Sequence, residues 1–324
     1  MAGRAERFEI TSLDQFSELV YQQEWTDGLP VFPPTRKAVQ RMIDYIGRDP
    51  GEVLGSVFPG DGEATIENIA ANCVMAGCLP EYLPVVLAAV ECIVDPQLLI
   101  TTTQSTGSGS LCTIVTGPAV GMLKFHTREW IFGPNGGRAN ATIGRAIRLI
   151  LWNIGRAHPG KLIKGTMGNP ASWSYCIGEE QELTPWEPMH VDFGLDATDS
   201  AVTVMKAGEH SQISAPLNSV GLAECINLLA RGIGKAGIST SGGKRTFLFV
   251  INPSLARAST ASRAKPFPSA ICTRKHRASG KRWLRPCCTM KCSFASAAGF
   301  RRRWGNASQF RAGVPPGSRC WRRK

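Results

Sequence analysis

Acidic residues are missing altogether from the C-terminal segment of this 324-residue chain: Arg257 to Lys324 holds 18 Lys and Arg and no Asp or Glu. The first 256 residues then carry 19 basic against 25 acidic groups, a net of −6, inside a formal total of +12. The body is mildly acidic, so nucleic-acid binding inferred from net charge rests on the tail alone. Long apolar runs are missing too. The longest, Leu83 to Val94, falls short of the ~20 residues that span a bilayer and includes Glu91. The opening MAGRAERFEITSLDQF has no apolar h-region, which excludes a secretory signal there and leads to the expectation of a cytoplasmic protein. There is no internal repeat and no dinucleotide or P-loop motif; GISTSGGKRT at 237–246 lacks the spacing. Metal spacing is absent as well. His126, His158, His190 and His210 form no HxxxH pair, and the cysteines form no CxxC pairs at zinc spacing. No metal is expected, and no cofactor is indicated.

The cysteines divide as the charge does. Cys73, Cys78, Cys92, Cys112, Cys176 and Cys225 are dispersed through the body, as in a protein of a reducing compartment, while Cys272, Cys287, Cys288, Cys292 and Cys320 crowd the tail. Three readings compete for the tail: a basic arm for nucleic acid, a small cysteine-rich domain, and an out-of-frame translation of GC-rich coding sequence. The third is favoured. The segment has no apolar period of 2 or 3.6 residues and is dominated by Arg, Ser, Ala, Pro, Cys and Trp. Back-translation of Arg263–Trp283 also admits, two bases on, a mixed-charge helix-forming string. A tail of this kind is expected to pack poorly, because it buries too little apolar surface to offset chain entropy.

Within the body, periodicity predicts helices over 13–24, 35–47, 64–77, from Pro80 to Val94, Asn140–Ile154 and 216–231. Gly77 is expected to end the third, and Pro80 to begin the fourth at its first position. Strands are predicted near 53–58, 97–103, 111–116, 172–177, 201–206 and 246–251. The alternation implies an α/β fold, a mixed sheet with flanking helices in a single main domain over 1–255, followed by the tail at 256–324.

Three places offer chemistry. Cys78 lies in VMAGCLPEYLPVV between two helices, just ahead of the Pro80 helix start, where unpaired N–H groups would stabilise a thiolate; Glu81 in the first turn is a candidate to move a proton. The bland alternative is a small residue buried at a tight corner. In GPNGGRANATIGRAIRL, Gly136 and Gly137 permit close backbone approach, Asn140 is the expected helix cap, and Arg138 and Arg145 supply guanidinium forks for a carboxylate or phosphate. Its alternative is a solvated helix face behind a Gly-rich turn, to which Arg148 belongs. The third place is the loop TQSTGSGS at 103–110, either a pocket lining or a flexible connector. Glu179 and Glu180, after the 172–177 strand, are general-base candidates or an exposed acidic turn, and the four histidines are read as structural.

DGLPVFPPT (27–35), NCVMAGCLPEYLPVVLAAVE (72–91), FGPNGGRANATIGRAIRLI (132–150) and TPWEP (184–188) resemble a bacterial family found with, or fused to, UGSC-type (seleno)proteins. The resemblance spans about residues 25–255. The UGSC redox motif is absent from this chain, so the resemblance implies the companion domain, carries no redox chemistry and supplies no reaction. It marks Cys78, Arg138, Asn140 and Arg145 as motif positions and implies a helical segment after Asn252–Pro253, from which the tail departs and which the alternate-frame string would restore. The expectation is a small-molecule enzyme or enzyme subunit that binds an anionic substrate beside Cys78, with Cys78 and Arg138 lining one hollow. The alternative is a non-catalytic binding or scaffold subunit. The expected partners are a small anionic molecule and a UGSC-type protein or a further copy of the chain, with no membrane and with nucleic acid only through the tail.

Overall fold

The computed structural model describes residues 8–98, 109–208, 210–214, 217–235, 245–261, 271–274 and 298–302. Most of the loop at 103–110, the body of the expected 97–103 strand, the 237–246 segment but for its last two residues, and most of the tail, including its cysteines other than Cys272, lie outside them. Pro96–Leu98, where that strand was expected to begin, is a three-ten turn.

Helix starts follow the hydroxyl residues. Ser12 caps α1 (Leu13–Gln22), Thr35 caps α2 (Arg36–Ile46) and Thr65 caps α3 (Ile66–Ala76), each accepting a hydrogen bond from the N–H three residues on. Between α2 and α3 the chain forms a hairpin of β1 (Val53–Val57) and β2 (Gly62–Thr65). β2 had been expected to be turn and helix; GEAT is too short and polar to declare itself. At Gly77 α3 ends with a left-handed residue, as expected. The Pro80 expectation needs correction. Pro80–Tyr82 forms a separate three-ten turn, and α4 (Leu83–Val94) begins after it.

Helix α4 is the centre of the core. Ten of its twelve residues are buried, on every side rather than along one stripe. Each fully buried aliphatic side chain there contributes about 1.5–3 kcal/mol of transfer free energy. Around it pack α3, β1, α6 (Arg138–Asn153) and one face of the main sheet.

The main sheet is mixed, in the order β4 (Cys176–Gly178), β3 (Ser110–Thr116), β5 (Ser200–Ala207), β8 (Ala298–Arg302). β3 runs parallel to β4 and antiparallel to β5. All seven residues of β3 are buried. Leu111 and Val115 join the α4 side, and Cys112 and Ile114 pack with Tyr175, Ile177, Met189 and Met205 on the other. A strand covered on both faces reads as a nearly continuous apolar run, which SLCTIVT does. Helix α5 (Ala119–Met122) follows β3 directly.

Beyond β5 come α7 (Leu217–Lys235), β6 (Arg245–Leu248) and α8 (Pro253–Ala261). Helix α8 begins at Pro253, in the last residues of the body and the first of the tail. It is capped by Asn252 and carries the body across residue 255 to Ala261, burying Leu255, Ala256 and Ser259. Two strands of the tail are described: β7 (Ile271–Arg274) pairs with β6, and β8 lies at the sheet edge. Among the described residues no helix is long and apolar enough to cross a membrane.

Candidate functional site

The structure brings Cys78, Glu81 and Arg138 to one corner, where the buried Tyr82 phenol is held above its usual range by burial and Glu81 and also feels Arg138 and Cys78. The corner is built by the end of α3. Cys78 N–H bonds Cys73 O and Gly77 N–H bonds Val74 O, both at 2.9 Å, the two-bond cap that closes a helix on a left-handed glycine. Such caps bring the two flanking side chains into contact. Here those side chains are Cys73 and Cys78, whose thiols touch, and burial first, then this contact, drives the Cys73 thiol well above the usual range. Cys78 is 8% exposed and belongs to the core; its thiol donates to Thr142 O at 3.3 Å. Its own N–H is taken by Cys73 O, and α4 starts only at Leu83. Among the described residues no amide N–H points at the sulfur. That arrangement is a packed thiol at a helix corner.

The expected anion grip is taken up inside the protein. Arg138 donates from Nε (3.2 Å) and Nη2 (2.9 Å) to Gly77 O, on the residue next to Cys78. Arg145 donates to Asp27 at 2.6 Å, and Arg148 lies 3.9 Å from the other oxygen of the same carboxylate, whose side chain is 1% exposed. Burial lowers both arginines from their usual range against the pull of Asp27. Asn140 is not the cap of α6. Gly137 is, and Asn140 sits in the first turn, accepting from His126 N–H and donating to His126 O and Cys176 O. Gly137 has no room for a side chain, because Asn140, Asn135 and His126 close on it. Gly136 is left-handed at φ 77° and faces open space.

A second constellation gathers where β3 and β4 end together, the carboxyl edge of the parallel pair, which is the usual ligand edge of α/β sheets. Glu179 follows β4 and continues its ladder, N–H to Val115 O at 2.9 Å. Its two carboxyl oxygens are each 3.0 Å from Met189 N. Burial pushes this carboxyl up to about 7; the Met189 N–H opposes the rise, and Asp192 adds to it. Gln181 approaches the carboxylate without closing a full hydrogen bond, since its buried Nε2 is unpartnered. The next residue behaves oppositely. Burial acts to raise Glu180, but the Thr127 hydroxyl and the N–H groups of Leu183 and Glu182, with Arg128, hold it below the usual carboxylate range. Buried His190 completes the edge. Its Nε2 lies 3.0 Å from Asp196 O, which only accepts, so Nε2 carries a proton, and its Nδ1 lies 2.9 Å from Thr116 Oγ1. Gly117 lets the chain leave β3 against Asp199; a Cβ there would collide with the Asp199 carbonyl.

Sequence reasoning named Glu179 and Glu180 and had no means to separate them. The difference lies in burial, which dominates at Glu179 even against the Met189 N–H, whereas at Glu180 the Thr127 hydroxyl, 53 residues away, and nearby N–H groups outweigh it. Among the described residues no cluster of His, Cys, Asp or Glu is arranged to hold a metal ion. No family model, curated protein or solved structure matches this chain.

Proposed function

We propose that this chain is a small-molecule enzyme, or the subunit of one, that moves a proton through Glu179. The placement of Glu179 carries the reading: a buried carboxyl at the carboxyl edge of the parallel pair, continuing the β4 ladder at Val115 O and set against Met189 N–H, where burial pushes it up to about 7 while its neighbour Glu180 is held down. A carboxyl titrating near neutrality accepts and returns protons with little penalty, and divergent neighbours are how a single edge separates acid from base. Cys78 and Glu81 become the packed corner that fixes α3 against α6, and Arg138, Asn140 and Arg145 the ties that hold α6. The companion-domain reading adds a UGSC-type protein or a further copy of the chain as partner, and the opening stretch without an apolar h-region supports a cytoplasmic setting.

The test is a carbon-13 titration of the glutamate carboxyls, followed by a fragment screen on the same signals. Support is one carboxyl titrating near neutrality, absent from Glu179→Gln, whose midpoint moves when a fragment binds. An ordinary midpoint, or a signal that no fragment moves, removes the enzyme reading. The second reading, a non-catalytic binding subunit, then takes its place.

A further inference from the structure

The opposite end of α6 holds a separate hollow. Asn140, in the first turn of α6, reaches Cys176 in β4, and Gly144, one turn on, packs against Ser174 and Tyr175, so α6 runs antiparallel to β4. Its last turn therefore lies roughly 20 Å from its first, away from the Glu179 edge. There Glu24, Trp25, Trp152, Arg156, His158 and Lys161 line a hollow of about 350 Å³, the size of a small-molecule pocket.

The walls are set by contacts within the protein. Trp152 Nε1 donates to Glu24 O at 2.6 Å and Asn153 Nδ2 to Trp25 O at 3.1 Å, which ties the end of α1 to the end of α6. The His158 ring stacks on Trp152 with centroids 4.3 Å apart, and His158 Nε2 donates to Trp152 O at 3.1 Å. Lys161 and His158 both face the Glu24 carboxylate. Arg156 differs from the rest: it is exposed, and while its backbone carbonyl accepts from His158 N–H, its guanidinium makes no hydrogen bond or ion pair among the described residues. With Lys161 matched by Glu24, the hollow keeps one positive charge in excess, on a guanidinium with its full set of donors.

The backbone points the same way. Glu24 and Arg156 have left-handed φ values of 54° and 50°. Each follows the end of a helix, a position where glycine relieves the strain. A glycine at either place would delete a charged lining group.

We propose that this hollow binds a small molecule bearing an oxyanion, carboxylate or phosphate, gripped by the Arg156 fork and approached by Lys161, with its body against Trp25 and the edge of the Trp152 indole, whose ring is already engaged by His158 and Arg148. Guanidinium suits both groups because each presents two oxygens to two parallel N–H donors. The site is independent of Glu179 and stands or falls apart from the proton-transfer reading. It also gives the anionic partner expected from the sequence a place that neither Arg138 nor Arg145 offers.

Nitrogen-15 NMR of the full chain tests it, with benzoate and inorganic phosphate as separate probes. The Trp25 and Trp152 indole N–H signals and the Arg156 amide should shift and saturate with at least one probe. Arg156→Gln should weaken that binding about tenfold and leave distant signals in place. Glu24→Gln frees Lys161 and should tighten it. Saturation by benzoate alone selects a carboxylate with an apolar body, by phosphate alone a phosphate group, and either upholds the site. Shifts that never saturate, or an Arg156→Gln variant that binds like the parent, overturn it.

Discussion

Arg138 gives both Nε and Nη2 to the carbonyl of Gly77, tying the first turn of α6 to the last of α3. A carbonyl at a helix C-terminus is an orphan acceptor at the negative end of the dipole, so a guanidinium placed on it acts as a side-chain cap. Arg138→Met should therefore lower stability by about 1.5–3 kcal/mol, the range for a hydrogen bond to a charged group. Urea denaturation reads this as a lower midpoint at unchanged slope. A variant as stable as the parent would return Arg138 to the pool of ligand-binding residues.

The buried carboxylate of Asp27 faces Arg145 at 2.6 Å and Arg148 at 3.9 Å. Removing it strands two partly buried guanidiniums, so Asp27→Ala should cost about 3–5 kcal/mol. Arg145→Met leaves Arg148 to partner the carboxylate and should cost less. Chemical denaturation of the two variants side by side gives the order, and a reversed order would show that Arg148 does not share the charge.

Much of the frame was legible, because local rules and tertiary packing agree there. α2 and α3 show their buried stripes at helical spacing, their caps follow Thr35 and Thr65, and Gly77 stops α3 where a left-handed residue is needed. The errors fall where a side chain serves a distant partner. Asn140 has a capping residue's chemistry, yet its amide turns sideways to His126 and Cys176, so Gly137 becomes the cap. Arg145 looks like a free anion grip until Asp27 arrives from 118 residues away. Glu179 and Glu180 are the same residue type in adjacent positions, and only contacts made by the folded chain give them different acidities.

Cys78 offers a direct test of the packed corner. All six body cysteines are buried, and the Cys78 thiol is hydrogen-bonded to Thr142 O. Iodoacetamide at mildly alkaline pH should leave Cys73 and Cys78 unmodified in the native state and label both in urea, as peptide mapping by mass spectrometry would show. Rapid native labelling of Cys78 would restore it as a candidate nucleophile.

Glu179 should leave a signature in stability against pH. Its folded value of about 7 lies above the ordinary glutamate value of 4.5, so between these limits the folded chain holds more proton than the unfolded one. Stability from this group is then full below the lower limit and declines as pH rises through the upper. The shift corresponds to a loss of about 3 kcal/mol by mildly alkaline pH. Glu179→Gln removes the titration while its carboxamide oxygen still accepts from Met189 N–H. The variant should therefore gain on the parent as pH climbs from 5 to 8, the gap widening most at about pH 6, between the two limits, and levelling off above the upper one. Urea midpoints at matched pH values give the difference curve. A flat difference would mean that the carboxyl stays ionised throughout, and the proton-transfer role of this edge would go with it.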